Sequence, residues 1–216
     1  MIKKNEVWML RAKPHGNNRI SEFLEDNIIA IGWPKIGNLS KLGKDEIRKK
    51  IISNGDYRNE YDTTRKLSMA VSQVQRFVIE MNIGDYVIVP DFEDIYIGII
   101  TSNYMYVKNL DNDKDGYPHQ RKVEFKLHLR RDDLDQNLRD SLRATMTLAN
   151  LSEHRNIVKD LVEKADLVDE NVKEVGEQDV FELKYPLEDG GSAYINIPRT
   201  INKDELENII NIISKL

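Results

Sequence analysis

Apolar and polar positions alternate along this chain in two different rhythms. Val7 to Ala12 is an apolar run that reads as a strand, ended by the turn formers Pro14-His15-Gly16-Asn17-Asn18. Ile20, Phe23 and Leu24 have helical spacing, and Ile28 to Trp33 reads as a second strand stopped by Pro34. Lys44 to Ile52 is a charged amphipathic helix, with Ser53-Asn54-Gly55-Asp56 as its end. The longest stripe runs from Thr63 to Met81, where Leu67, Ala70, Val71, Val74, Phe77, Val78 and Met81 recur at steps of three and four. It stops at Asn82-Ile83-Gly84-Asp85.

Period two takes over beyond that point. Tyr86 to Val89 and Ile95 to Ile100 predict a hairpin across Pro90-Asp91-Phe92-Glu93-Asp94, and Tyr104 to Val107 a further strand. In Arg121 to Leu129, Val123, Phe125, Leu127 and Leu129 share one face, and Lys122, Glu124, Lys126 and His128 the other. Gln136 to Arg143 and Glu153 to Lys164 read as helices, while Thr145 to Leu151 fits neither period. Residues 166–178 are acidic and without pattern, which predicts a linker. Val180 to Ile197 reads as a hairpin around Gly190-Gly191. Asn202 and Glu205 then form a capping box ahead of a helix carrying Leu206, Ile209, Ile210, Ile213 and Leu216. The expected organisation is a body over 1–151, a helix and acidic linker over 152–178, and a ββα unit over 179–216.

The 216 residues contain no cysteine, which excludes disulfides, thiolate catalysis and cysteine-ligated metals. No apolar run has the length of a membrane span, and the N-terminus does not read as a signal peptide. A cytoplasmic protein without membrane contact is expected. The net charge of −5 is unevenly spread. Residues 151–216 hold 8 Lys and Arg against 15 Asp and Glu, so residues 1–150 hold 24 against 22, a balance of +2. The body can therefore face a polyanion better than the tail can.

Several short motifs resemble a known family. Val7-Trp8-Met9-Leu10-Arg11-Ala12-Lys13-Pro14 resembles the first strand of EVE-type domains, with Ala12 and Lys13 where those domains have Ser and Glu. Gln73 to Val87, with its Met81-Asn82-Ile83-Gly84-Asp85, resembles their helix ending in Met-x-x-Gly-Asp. Tyr96-Ile97-Gly98-Ile99-Ile100 is similar to their Ile-Val-Gly strand. With Ile29 to Trp33, His119 to Val123 and Asp140-Ser141-Leu142, the pattern over residues 7–151 is closest to the N-terminal domain that precedes Mrr-type restriction nucleases. The resemblance implies an α+β fold of the PUA-like superfamily: a small, partly closed β-barrel with flanking helices. Members of that superfamily, including YTH and EVE domains, hold a flipped or single-stranded modified base in an aromatic cleft. It implies a module that recognises a modified base in DNA, in prokaryotic defence or restriction, without catalysis or cofactor.

A base pocket needs aromatic walls and a few polar groups. Trp33, Tyr86 and Tyr96 are the candidate walls, with Arg11 and Lys13 as polar partners. Arg121, Lys122, Lys126 and Arg130, in a segment that also holds His119, His128, Arg131, Arg139 and Arg143, are the candidate phosphate contacts. Two other readings stay open. Asp91 after Pro90, with Glu124 and Lys126, matches the Pro-Asp…Glu-x-Lys pattern of magnesium-dependent nucleases. A protein–protein adaptor could pair with itself or with a partner protein through residues 179–216. His15, His119, His128 and His154 have no metal-ligand spacing, and no metal is expected.

Overall fold

The protein is described here by a computed structural model covering residues 4–114, 116–174, 180–186, 192–198 and 207. Met1–Ala165 form one compact unit and Asp166–Leu216 another.

The first unit is an α+β structure built on a curled mixed sheet that forms a half-barrel. Its strands are β1 (Val7–Leu10), β2 (Ile28–Ile31), β3 (Tyr86–Asp91), β4 (Asp94–Ile100), β5 (Met105–Tyr106), β6 (His119–Arg130) and β7 (Leu148–Asn150). They lie in the order β2-β6-β4-β3-β1-β7, with β5 also on β6. Only β1 and β3 run parallel; the other pairs are antiparallel. Thr145 to Leu151, which follows neither period, contributes β7, paired to β1 through Met9 and Ala149. The helices are α1 (Ile20–Glu25), α2 (Lys44–Ser53), α3 (Gly55–Glu60), α4 (Thr64–Gln75), α5 (Gln136–Ser141) and α6 (Arg155–Glu174).

Both faces of the sheet are covered, so β1 and β2 read as unbroken apolar runs rather than alternating ones. Trp8, Leu10, Val87 and Val89 face one cluster with Phe23, Ile47, Ile51, Val71, Val74 and Phe77 from the α1, α2 and α4 side. Val7, Met9, Ile88, Ile95 and Ile97 face the other with Leu138, Leu142, Val158 and Val162 from the α5 and α6 side.

Four expectations need correction. The single apolar face over 123–129 is divided: Phe125 packs on the first cluster, and Leu127 and Leu129 on the second. A bulge causes this, because Ile97 pairs with Leu127 while the next residue, Gly98, pairs with Phe125. Gly98 allows the approach; a Cβ there would sit 2.5 Å from Val123 Cγ1 and 2.8 Å from the Glu124 carbonyl oxygen. Second, Ser53-Asn54-Gly55-Asp56 ends α2 at Ser53 as expected, but a further short helix, absent from the sequence reading, starts at once. The Asn54 side chain accepts from the Asp56 and Tyr57 N–H groups and starts α3. Third, the helix predicted over 63–81 is α only to Gln75, then widens into a π-turn over Arg76–Glu80. Fourth, the linker expected over 166–178 is helical as far as Glu174, in a stretch rich in helix formers such as Ala165, Leu167, Glu170 and Lys173.

In the second unit, β8 (Val180–Pro186) pairs antiparallel with β9 (Ser192–Pro198) as a two-stranded sheet of its own. The Gly190-Gly191 turn and, apart from helical Glu207, the Asn202-capped helix lie outside the described residues. Among the described residues, no helix is long and apolar enough to cross a membrane.

Candidate functional site

Trp33 follows β2 with a φ of 57°, a left-handed backbone that costs a bulky residue of the order of 1–3 kcal/mol. Two hydrogen bonds hold Trp33 itself, a third holds the next residue, Pro34, and a fourth orients His119. The buried His119 ring donates from Nε2 to the Trp33 carbonyl at 3.1 Å, and its Nδ1 accepts from the Tyr104 hydroxyl at 2.7 Å. The Trp33 indole N–H donates to the Tyr61 hydroxyl at 3.1 Å, and the Tyr57 hydroxyl donates to the Pro34 carbonyl at 2.9 Å. Burial lowers the His119 pKa to about 4, so the ring is neutral and can donate and accept at once.

Tyr57 lies on α3 and Tyr61 is its C-cap, with their rings stacked 6.0 Å apart at 11°. Burial raises both phenol pKa values, that of Tyr61 to about 12, and keeps them protonated donors. Trp33, Tyr57 and Tyr61 wall a cavity of about 190 Å³ whose rim carries Lys13, His15, Glu60 and Thr147. A second cavity of about 400 Å³ shares Trp33, Glu60, Tyr61 and Thr147 and continues to Lys66, Met69 and Gln73 on α4.

Of the expected pocket residues, Trp33 and Lys13 come together here. The others do not. The Arg11 guanidinium donates twice to the Ala144 carbonyl, at 3.0 and 2.7 Å, and the Arg11 backbone N–H donates to the Thr147 carbonyl. It anchors the loop that supplies Thr147 to the cavity wall. Tyr86 is buried in the second cluster, on the opposite face of the sheet from Trp8. Tyr96 stacks on His128 at 4.7 Å and lines neither cavity. Lys13 also sits 4.5 Å above the ring of Phe92, which is 72% exposed at the tip of the β3–β4 hairpin.

The phosphate contacts need a larger correction. Arg121 is only 2% exposed. Its guanidinium donates to the carbonyls of Phe77 at 2.8 Å, Val78 at 3.1 Å and Ser102 at 3.2 Å. The π-turn frees helix-end carbonyls, and a cation is the natural donor for them. Burial lowers the Arg121 pKa to about 10, still charged at neutral pH. Period two already put Arg121 on the Val123 face. Lys122 is exposed, with its ammonium on the Asp26 carbonyl at 3.0 Å. Lys126 pairs with Glu124 at 2.7 Å, and Arg130 with Asp94 at 2.9 Å.

The nuclease triplet is not assembled. Asp91 pairs with Asp94, and Glu124 with Ile99, so the two acids stand five residues apart along β4, about 17 Å. Among the described residues, no three His, Asp or Glu side chains gather as a metal site.

The Gly-Asp motif has a structural part. Gly84 takes a φ of 89°, and the buried Asp85 carboxylate accepts from the Trp8 indole N–H at 3.0 Å, Asn82 N–H at 2.9 Å and Glu6 N–H at 3.0 Å. It ties β1 to the start of β3. Sequence reading missed Tyr57 and Tyr61, although Asn54 as an N-cap ahead of two tyrosines at helical spacing is a legible signal.

No curated protein and no solved structure gives a significant match. A family model matches residues 8–152, the span that holds the half-barrel and every cavity residue named above. The chain belongs to the family described as a domain of unknown function (DUF8426).

Proposed function

We propose that the half-barrel is a PUA-like domain and that it binds DNA by taking one modified, unstacked base between Trp33 and the Tyr57–Tyr61 pair. The observation that carries this reading is the aromatic cavity at Trp33, with Lys13 at its rim. An extruded base offers two π-faces and a polar edge. Three aromatic rings meet the faces, the Glu60 carboxylate meets a donor on the base edge, and the Lys13 ammonium meets the edge or the adjoining phosphate. The resemblance to domains ahead of Mrr-type nucleases supports DNA in a restriction or defence setting. The chain acts as a reader, since Asp91, Glu124 and Lys126 do not converge.

Base–aromatic stacking contributes roughly 1–3 kcal/mol, so Trp33→Ala should weaken binding of a single-stranded or base-flipped DNA by about 5- to 150-fold. Fluorescence anisotropy titration and thermal melting on the same variant form the test. A lowered melting temperature with unchanged DNA affinity would assign Trp33 to the core alone and end the reading.

A further inference from the structure

Beyond the base cavity, α4 carries a third hollow, of about 310 Å³, lined by Arg65, Ser68, Met69, Ser72, Arg76 and Met146 together with Gln73. It shares Met69 and Gln73 with the cavity that reaches Trp33, so the three form one run of hollows from Lys13 to Arg76. Residues 65, 68, 69, 72, 73 and 76 are spaced by three and four, so this is one face of the helix. Its floor is apolar, with Met69 43% exposed on it. Its borders are cationic. Arg65 is exposed, Arg76 half-buried, and neither makes an ion pair among the described residues. Lys66 stands beside them, paired with Asp62 at 2.9 Å.

We infer that this face of α4 is the track for the strand that flanks the bound base, with Arg65 and Arg76 on its phosphates and Met69 and Met146 under a neighbouring base. The inference rests on the base-pocket reading and extends it. An apolar floor between unpaired arginines matches a single strand, which presents apolar base faces and a charged backbone together. Ser68 and Ser72 add hydroxyl donors of the kind that bind phosphate oxygens. From Arg65 to Arg76 the helix rises about 16 Å, longer than one nucleotide needs. Glu60 stands where the first two cavities meet. A carboxylate there accepts from the exocyclic amine of a base and repels phosphate, which keeps the backbone toward the α4 side. The track replaces the β6 cluster, whose Arg121 faces inward.

The test titrates a fluorescein-labelled, nine-nucleotide single strand of DNA at several salt concentrations. Each phosphate contact on a single strand contributes about 0.7 to the slope of log affinity against log salt, so Arg65→Gln with Arg76→Gln should flatten it by about 1.4. The affinity ratio between strands differing only at one base should stay as in the wild type. Trp33→Ala should do the reverse, abolishing that ratio and keeping the slope. Arg65→Glu alone, at an exposed position, gives a second reading independent of Arg76. A wild-type slope in both arginine variants, with binding weakened by Trp33→Ala, would overturn the track and leave the pocket standing. Binding unchanged in all three variants would overturn both.

Discussion

Arg121 belongs to the helix it caps rather than to a ligand. Replacing it by Met leaves the Phe77, Val78 and Ser102 carbonyls without their donor. Each carbonyl left bare in the interior costs about 1–3 kcal/mol, so chemical denaturation should show a loss of several kcal/mol. The salt slope of DNA binding should not move, and a flatter slope at unchanged stability would return Arg121 to the phosphates. His119 carries a pH signature. Its folded pKa of about 4 lies below the usual 6.5, so the unfolded chain takes up the proton first as pH falls. Stability is therefore full above pH 6.5 and declines toward pH 4, by about 3 kcal/mol in all. Asp94 and Glu22, held low by hydrogen bonds from His128 and Arg19, lose their contribution only in more acid solution. Melting curves of His119→Gln between pH 6.5 and 4.5 should be flatter than those of the wild type.

Among the elements, α3 is the one on which the pocket depends most. It has six residues, too few to persist by propensity, and its N-cap Asn54 holds its first turn. Asn54→Ala should cost about 0.5–2 kcal/mol and loosen Tyr57 and Tyr61. The expected result is weaker DNA binding with a modest drop in melting temperature; unchanged binding would place Tyr57 and Tyr61 outside the site. In the sheet, the bulge in β6 switches this strand from one core to the other. Gly98→Ala would press a methyl group into Val123 and the Glu124 carbonyl, both too close for any Cβ. Overpacking of that kind costs about 1–3 kcal/mol, which thermal melting reads directly.

For the whole molecule, both apolar clusters among the described residues draw on the span from Val7 to Val162, inside the first compact unit. A chain ending at Ala165 should therefore unfold in one cooperative transition within a few degrees of the full protein, as followed by circular dichroism. A broad, non-cooperative melt would show that the acidic second unit is needed for the fold. The charge balance follows the same division, since the tail carries −7 and the body +2. Removing the tail should raise the DNA on-rate at low salt, because a net negative charge on the binding protein slows encounter with a polyanion.

Periodicity by itself determined most of the elements. Val7–Leu10, Ile20–Glu25, Ile28–Ile31, Lys44–Ser53 and the Tyr86–Ile100 hairpin each carry their own local rhythm and stop signals. Trp33 and Lys13 were legible as candidates because a Trp before Pro34 and a Lys opposite Ala12 have few local explanations. What only the tertiary structure decided was which face of each element is inside. Arg121 and Lys122 are neighbours of the same chemistry, yet one is sealed under a π-turn and the other is exposed. That difference is set by where the end of α4 lies over β6, a contact between residues more than forty positions apart. The same holds for the pocket. Trp33 follows β2 and Thr147 precedes β7, at opposite ends of the strand order, so they line one cavity with Tyr61 because the sheet curls, and no local pattern encodes that curl.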